Sequence, residues 1–177
     1  MKQCSNNNQN NVQLMGQLVT VKEVWRSSAH VVYEGVLNIV RNTHNILDFI
    51  TVLFSDKEFS PNDFVTIKGQ FRSRDLDNNG KLKVDLYVYA KEIEELNRVE
   101  YLNEISLSGY ICKKPVLRTT PSGKTISDLL IACNYGKEKT AYLPVIVWGR
   151  DARKISKSPV GTYVDIKGKV QSRDYTK

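Results

Sequence analysis

The sequence predicts an all-β chain folded as two small barrels in tandem. Runs rich in β-branched and aromatic residues follow one another with turn signals between them. The 13 residues Asp63-Phe-Val-Thr-Ile-Lys-Gly-Gln-Phe-Arg-Ser-Arg-Asp75 recur as Thr162-Tyr-Val-Asp-Ile-Lys-Gly-Lys-Val-Gln-Ser-Arg-Asp174, identical at seven positions. Two further blocks repeat in the same order: Leu14-Met-Gly16 with Leu107-Ser-Gly109, and Phe49-Ile-Thr-Val-Leu-Phe54 with Tyr142-Leu-Pro-Val-Ile-Val147. Internal repetition of this kind marks a duplicated unit. The 177 residues then divide into two short barrels more naturally than they build one sandwich.

Residues 1–10 are rich in Asn and Gln and are expected to be a disordered tail. The first repeat is assigned to residues 11–96. Its strand runs are Val31–Val40, Phe49–Phe54, Phe64–Phe71 and Leu82–Tyr89, separated by the turn signals Ser60-Pro-Asn-Asp63 and Asp77-Asn-Asn-Gly80. An acidic stretch, Glu92–Tyr101, leads through a linker at 97–102 into the second repeat, 103–177. There the runs are Leu129–Cys133, Tyr142–Trp148 and Tyr163–Val170, with turns at Thr120-Pro-Ser-Gly123 and Ser158-Pro-Val-Gly161. Arg150–Ser158 is the helical candidate, whereas the first repeat offers only Ser55–Asn62 at that place. Gly16, Gly69, Gly109 and Gly168 interrupt strand patterns and are read as the bulges or bends that let a small barrel close.

The formal charge of +7 is unevenly spread, with residues 1–100 balancing at −1 and residues 101–177 at +8. Such segregation points to a polyanion contacted mainly by the second half. Cys4, Cys112 and Cys133 are too few and too widely spaced for a disulfide framework or a C-x-x-C knuckle, and are read as reduced thiols. With only His30 and His44 beside them, neither a metal nor a cofactor is expected. No apolar run approaches the ~20 residues of a membrane span. The polar start from Gln3 to Gln13 lacks the apolar stretch of a secretory leader, so a cytoplasmic location is expected.

The second repeat carries, in order, Asn103-Glu-Ile-Ser-Leu-Ser-Gly109, Lys114-Pro-Val-Leu-Arg-Thr-Thr-Pro-Ser-Gly-Lys124, Pro144-Val-Ile-Val-Trp-Gly149, Ile166-Lys-Gly168 and Ser172-Arg-Asp-Tyr175. In these blocks and their order it strongly resembles the bacterial single-stranded DNA-binding (SSB) protein family. The tandem arrangement is similar to short members found among clostridia. The resemblance implies the OB-fold, a five-stranded Greek-key barrel that binds oligonucleotides across one face. It implies single-stranded DNA as partner, bound without sequence specificity in replication, recombination and repair, with RNA an equally possible physical target. Base stacking would then fall on Tyr135, Tyr142, Trp148 and Tyr175. Arg118, Lys124, Lys139, Arg150 and Arg173 are interleaved with them, and Arg118, Lys124, Arg150 and Arg173 are taken as the cations meeting phosphates. Aromatic platforms suit this task because every base has a π-face, at roughly 1–3 kcal/mol per stacked base. Family members commonly assemble four OB-folds, so a homodimer of this chain is expected.

The first repeat departs from this pattern. Phe49 answers Tyr142, but Ser55 stands where the second repeat has Trp148, Leu76 where it has Tyr175, and Thr43 or His44 near the place of Tyr135. It is therefore read as chiefly a packing or oligomerisation unit, with Trp25 and Tyr33 as packing residues. The second repeat ends without a counterpart to Leu82–Tyr89 and is expected to lack its last strand, unless another chain supplies it. An enzyme would need converging acids, bases or a metal site. The second half holds six carboxylates, among them Asp128, Asp151, Asp165 and Asp174, with no metal-ligand spacing and no nucleophile–base pair, so no enzymatic activity and no small-molecule substrate are expected. The competing reading is a tandem-OB accessory protein of primosome assembly with weak affinity for DNA.

Overall fold

The computed structural model describes residues 9–41, 46–78 and 81–172, and it divides them between two compact units. One unit comprises Asn11–Ser106 together with the chain from Lys167 onward; the other comprises Leu107–Ile166 together with the chain up to Asn10. The expected repeat limits, 11–96 and 103–177, differ from these units at both chain ends and at residues 103–106. Residues 96–101 do form an irregular connection.

Five strands build the first barrel: β1 (Asn10–Arg26), β2 (Val31–Val40), β3 (Leu47–Ser55), β4 (Phe64–Asn78) and β5 (Lys81–Glu95). β1 pairs antiparallel with β2 and β4, β2 with β3, and β4 with β5. A short parallel contact between β3 and β5, Val52 opposite Val88 and Leu53 opposite Tyr89, closes the circuit β1–β2–β3–β5–β4–β1. This is the OB-fold. Alternation along each strand sends Leu14, Leu18, Leu37, Val52, Phe54, Val65, Ile67 and Val88 inward, all fully buried. Tyr33 stacks on Phe54 with ring centroids 5.6 Å apart, so its packing role holds. Phe59, from the β3–β4 connection, meets the Phe54 ring edge-on at 5.6 Å.

Lys91 is the extra residue of a bulge on β5, opposite the step from Lys68 to Gly69, and β5 there comes so close that a Cβ on Gly69 would lie 2.1 Å from the Tyr89 carbonyl oxygen. The chain beyond 167 is fastened to this unit at two points. Asn103 donates through Nδ2 to the Val170 carbonyl at 2.7 Å and accepts the Val170 N–H at 2.9 Å. Asp48, fully buried beneath Arg41, accepts the Ser172 N–H at 3.0 Å, while Ser172 Oγ accepts the Phe49 N–H at 3.0 Å.

The second barrel uses β6 (Leu102–Ile111), β7 (Val116–Thr119), β8 (Thr125–Gly136), β9 (Lys139–Trp148), α1 (Gly149–Ile155) and β10 (Tyr163–Gly168). β8 pairs with β6, β7 and β9, and β10 pairs with β6. Among the described residues no strand joins β9 to β10 in the way that β5 joins β3 to β4 in the first barrel. Gly168, the counterpart of Gly69, accordingly has nothing within 4 Å of where a Cβ would sit. The helix is shorter than the expected 150–158, and its buried Ala152 occupies the connection that Phe59 fills in the first barrel.

Of the expected disordered tail, residues 1–8 lie outside the described residues. Gln9 and Asn10 are ordered: Ser108 donates its N–H to the Gln9 carbonyl at 2.8 Å, and Asn10 is buried.

Candidate nucleic-acid interface

β9 places its even-numbered side chains on one face, and this decides the character of the site. Ala141 and Leu143 point inward and are fully buried, while Tyr142 is 54% exposed and Trp148 is 47% exposed. Pro144 and Ile146 lie between them on the same outer face. Six residues of strand separate the two rings, roughly 20 Å at the usual rise. Opposite them on β8 stand Ala132, Leu130, Asp128 and Ile126 in turn. The next strand, β7, sets Arg118 opposite Ile126, so Arg118, Ile126 and Trp148 form one row across three strands.

The strand-to-helix junction fixes Trp148. It is the last residue of β9 and the N-cap of α1, with extended backbone at φ −112° and ψ 149°. Gly149 then turns the chain at φ +64°, a conformation that favours glycine. The β7–β8 hairpin brings Lys124 to the ring. Gly123, at φ +79°, donates its N–H to the Thr120 carbonyl at 2.8 Å, and Lys124 donates its N–H to Thr120 Oγ1 at 3.1 Å. The Lys124 Nζ then lies 6.0 Å from the centroid of the Trp148 ring, at the outer limit of a cation–π contact.

Arg118 is already engaged by a carboxylate. Its guanidinium grips Asp128 in a two-pronged pair, with Nη2 3.1 Å from Oδ1 and a second, shorter bond from Nε. Both side chains are substantially exposed. A pair of this kind is worth at most about 1 kcal/mol in water, so a phosphate can compete for the guanidinium. Arg150 is exposed in the first turn of α1. Lys139 is exposed at the β8–β9 turn.

Tyr135 departs from the expected arrangement. It is the extra residue of a β-bulge, between the pairs Asn134–Thr140 and Gly136–Lys139, and it is half-buried. Strand pairing therefore does not put it in line with Tyr142. Arg173 and Tyr175 lie outside the described residues, as do Thr43 and His44. Two residues enter that sequence reasoning did not place in the site. Arg153 donates from Nη2 to Thr125 Oγ1 at 3.1 Å and ties the helix to the hairpin carrying Lys124; its spacing of three from Arg150 on a predicted helix was the available signal. Trp25, read as a packing residue, is 53% exposed.

Residues 102–177 match the sequence profile described as the Single-strand binding protein family. Single-stranded DNA-binding protein 1 of Staphylococcus aureus (strain COL) is 30% identical over 81 residues, covering 42% of this chain and 48% of that protein. Single-stranded DNA-binding protein 3 of Listeria innocua serovar 6a is 27% identical over 81 residues, covering 42% of this chain and 51% of that protein. The chain thus spans about half the length of the curated relatives it matches. Among solved structures, the wild-type single-stranded DNA binding protein from Thermus aquaticus superimposes with a TM-score of 0.76 at 21% identity. That likeness covers 91% of this chain and 84% of the other. At that identity it speaks to the fold, and it extends well beyond the half that the family profile matches.

Proposed function

We propose, from the match of residues 102–177 to the single-strand binding protein family, that the chain binds single-stranded DNA without sequence preference. The observation that carries this is the pair of half-exposed rings, Tyr142 and Trp148, on one outer face with Lys124 and Arg118 beside them. Bases stack on the rings, and Lys124, Arg118 and Arg150 meet phosphates along the strand. From the resemblance of the second repeat to the family, Tyr135 and Tyr175 are assigned further stacking and Arg173 a further phosphate contact.

An intact duplex hides its base faces, so only single strands gain the stacking energy. Two stacked bases at roughly 1–3 kcal/mol each suffice for selectivity over duplex, while the phosphate contacts set the salt dependence. The chain acts by equilibrium binding, shielding strands from reannealing and nucleases during replication, recombination and repair in the cytoplasm. It performs no catalysis of its own.

Fluorescence titration with oligo-dT and with a matched duplex, at low and high salt, tests this. Tryptophan emission is expected to be quenched by oligo-dT, less by duplex and less at high salt. Trp148→Ala is expected to weaken binding by about 5- to 150-fold, the range set by one stacked base. Equal affinity for duplex, or a Trp148→Ala protein that binds as tightly as the parent, refutes the stacking mechanism.

A further inference from the structure

The two barrels share a sheet geometry that can be compared row by row, and the comparison finds an exposed tryptophan in each. In the second barrel the hairpin closes with Thr119 opposite Thr125, and the next row is Arg118, Ile126, Trp148. In the first barrel the hairpin closes with Arg26 opposite Val31, and the next row is Trp25, Val32, Ser55. Residues directly opposite on neighbouring strands share a face. Ser55 therefore stands where the second barrel has Trp148, and Trp25 stands where it has Arg118. The indole absent from the third strand reappears on the first strand of the same row, about 10 Å away at the usual strand spacing.

Nothing in the fold accounts for Trp25 as a packing residue. Its side chain is 53% exposed, and among the described residues no ring or cation partners it. Phe49, the counterpart of Tyr142, is 47% exposed six residues along from Ser55 on the same outer face. The first barrel thus keeps an aromatic at each end of its face, as the second does. The cations near Trp25 are paired with carboxylates, as Arg118 is, and none of them takes the place of Lys124, which stands beside Trp148 without an ion pair among the described residues. Lys22 is paired with Glu34 at 2.8 Å, and Arg26 is held by Glu23 through two hydrogen bonds of 2.6 and 2.8 Å.

We propose that Trp25, with Phe49, forms a second single-strand stacking site on the first barrel, relocated within the row that carries Trp148 in the second. This rests on the single-strand reading of the chain. Because the local cations are already neutralised by carboxylates, the site draws on stacking more than on phosphate contact. Its occupation is accordingly less sensitive to salt than that of Trp148.

Trp25 and Trp148 are the only two tryptophans, so each can be made the sole reporter. In Trp148→Phe, which keeps a ring at the second site, emission comes from Trp25 alone. Oligo-dT is expected to quench it, with a weaker salt dependence than in Trp25→Phe, where Trp148 reports. Trp25→Ala in the full chain is expected to lower affinity for oligo-dT longer than one barrel can cover by about tenfold. Three results overturn the proposal. If Trp25 emission stays constant while labelled oligo-dT still binds by anisotropy and Trp148 still responds, the single-strand reading survives and this site does not. If Trp25 emission instead follows protein concentration, this face is a contact between copies. Quenching of Trp25 by duplex as strongly as by oligo-dT removes the stacking account. Quenching of Trp25 by oligo-dT with Trp148 silent supports the site and refutes the assignment of the main platform to Trp148.

Discussion

Arg118 has two partners to choose between, and the choice sets a measurable property. Asp128 holds its guanidinium on the outer face, in the row that carries Trp148. Under the proposed function a phosphate competes with this carboxylate, and removing the acid removes the competitor. Asp128→Asn is expected to raise affinity for oligo-dT several-fold at low salt and to steepen the log–log salt dependence by about 0.7, one phosphate contact. An unchanged slope in a salt series would place Arg118 off the path of the strand. Trp148 and Tyr142 were legible in the sequence through the family resemblance, and strand alternation is the physical reason that both face out. The engagement of Arg118 was not, since its partner lies ten residues away across a hairpin and the register had to be known. Trp25 was misread for a related reason: an aromatic in a strand is more often core, and only the pairing opposite Val32 puts it on the outer face.

At the scale of elements, the two glycines of the repeated Ile-Lys-Gly block have the same sequence context and opposite surroundings. Gly69 is pressed by the backbone of β5, whereas Gly168 faces open space. Gly69→Ala forces backbone against backbone at the bend that lets β4 and β5 close the barrel. It is expected to cost about 3 kcal/mol or more in denaturant unfolding. Gly168→Ala is expected to stay within about 0.5 kcal/mol of the parent. Equal effects would show that the close approach of β5 is not what the glycine serves. The sequence reading took all four repeated glycines as bends, and for Gly168 the described residues offer no neighbour to explain it. The strand runs and their order were legible because period-two patterning and turn residues act locally. The bulge at Tyr135 was not, because one added residue in a hairpin leaves the alternation on either side intact.

For the whole molecule, the repeat was sufficient to read two barrels, and the uneven charge is what the proposed polyanion partner would answer. They could not reveal which barrel each chain end joins. A chain with two OB-folds reaches four by pairing, and light scattering at micromolar concentration is expected to give about twice the chain mass of 20.2 kDa. A monomer mass there rules out the homodimer. The connection at 96–101 is the natural place to cut the sequence, yet the hydrogen bonds do not divide there. A fragment beginning at 103 loses Gln9, the acceptor for the Ser108 N–H, and a fragment ending at 96 loses Ser172, whose N–H meets the buried Asp48. The ancestral gene duplication has therefore ceased to be reversible by simple scission: each copy has handed one end of itself to the other, and neither half inherits a complete set of partners.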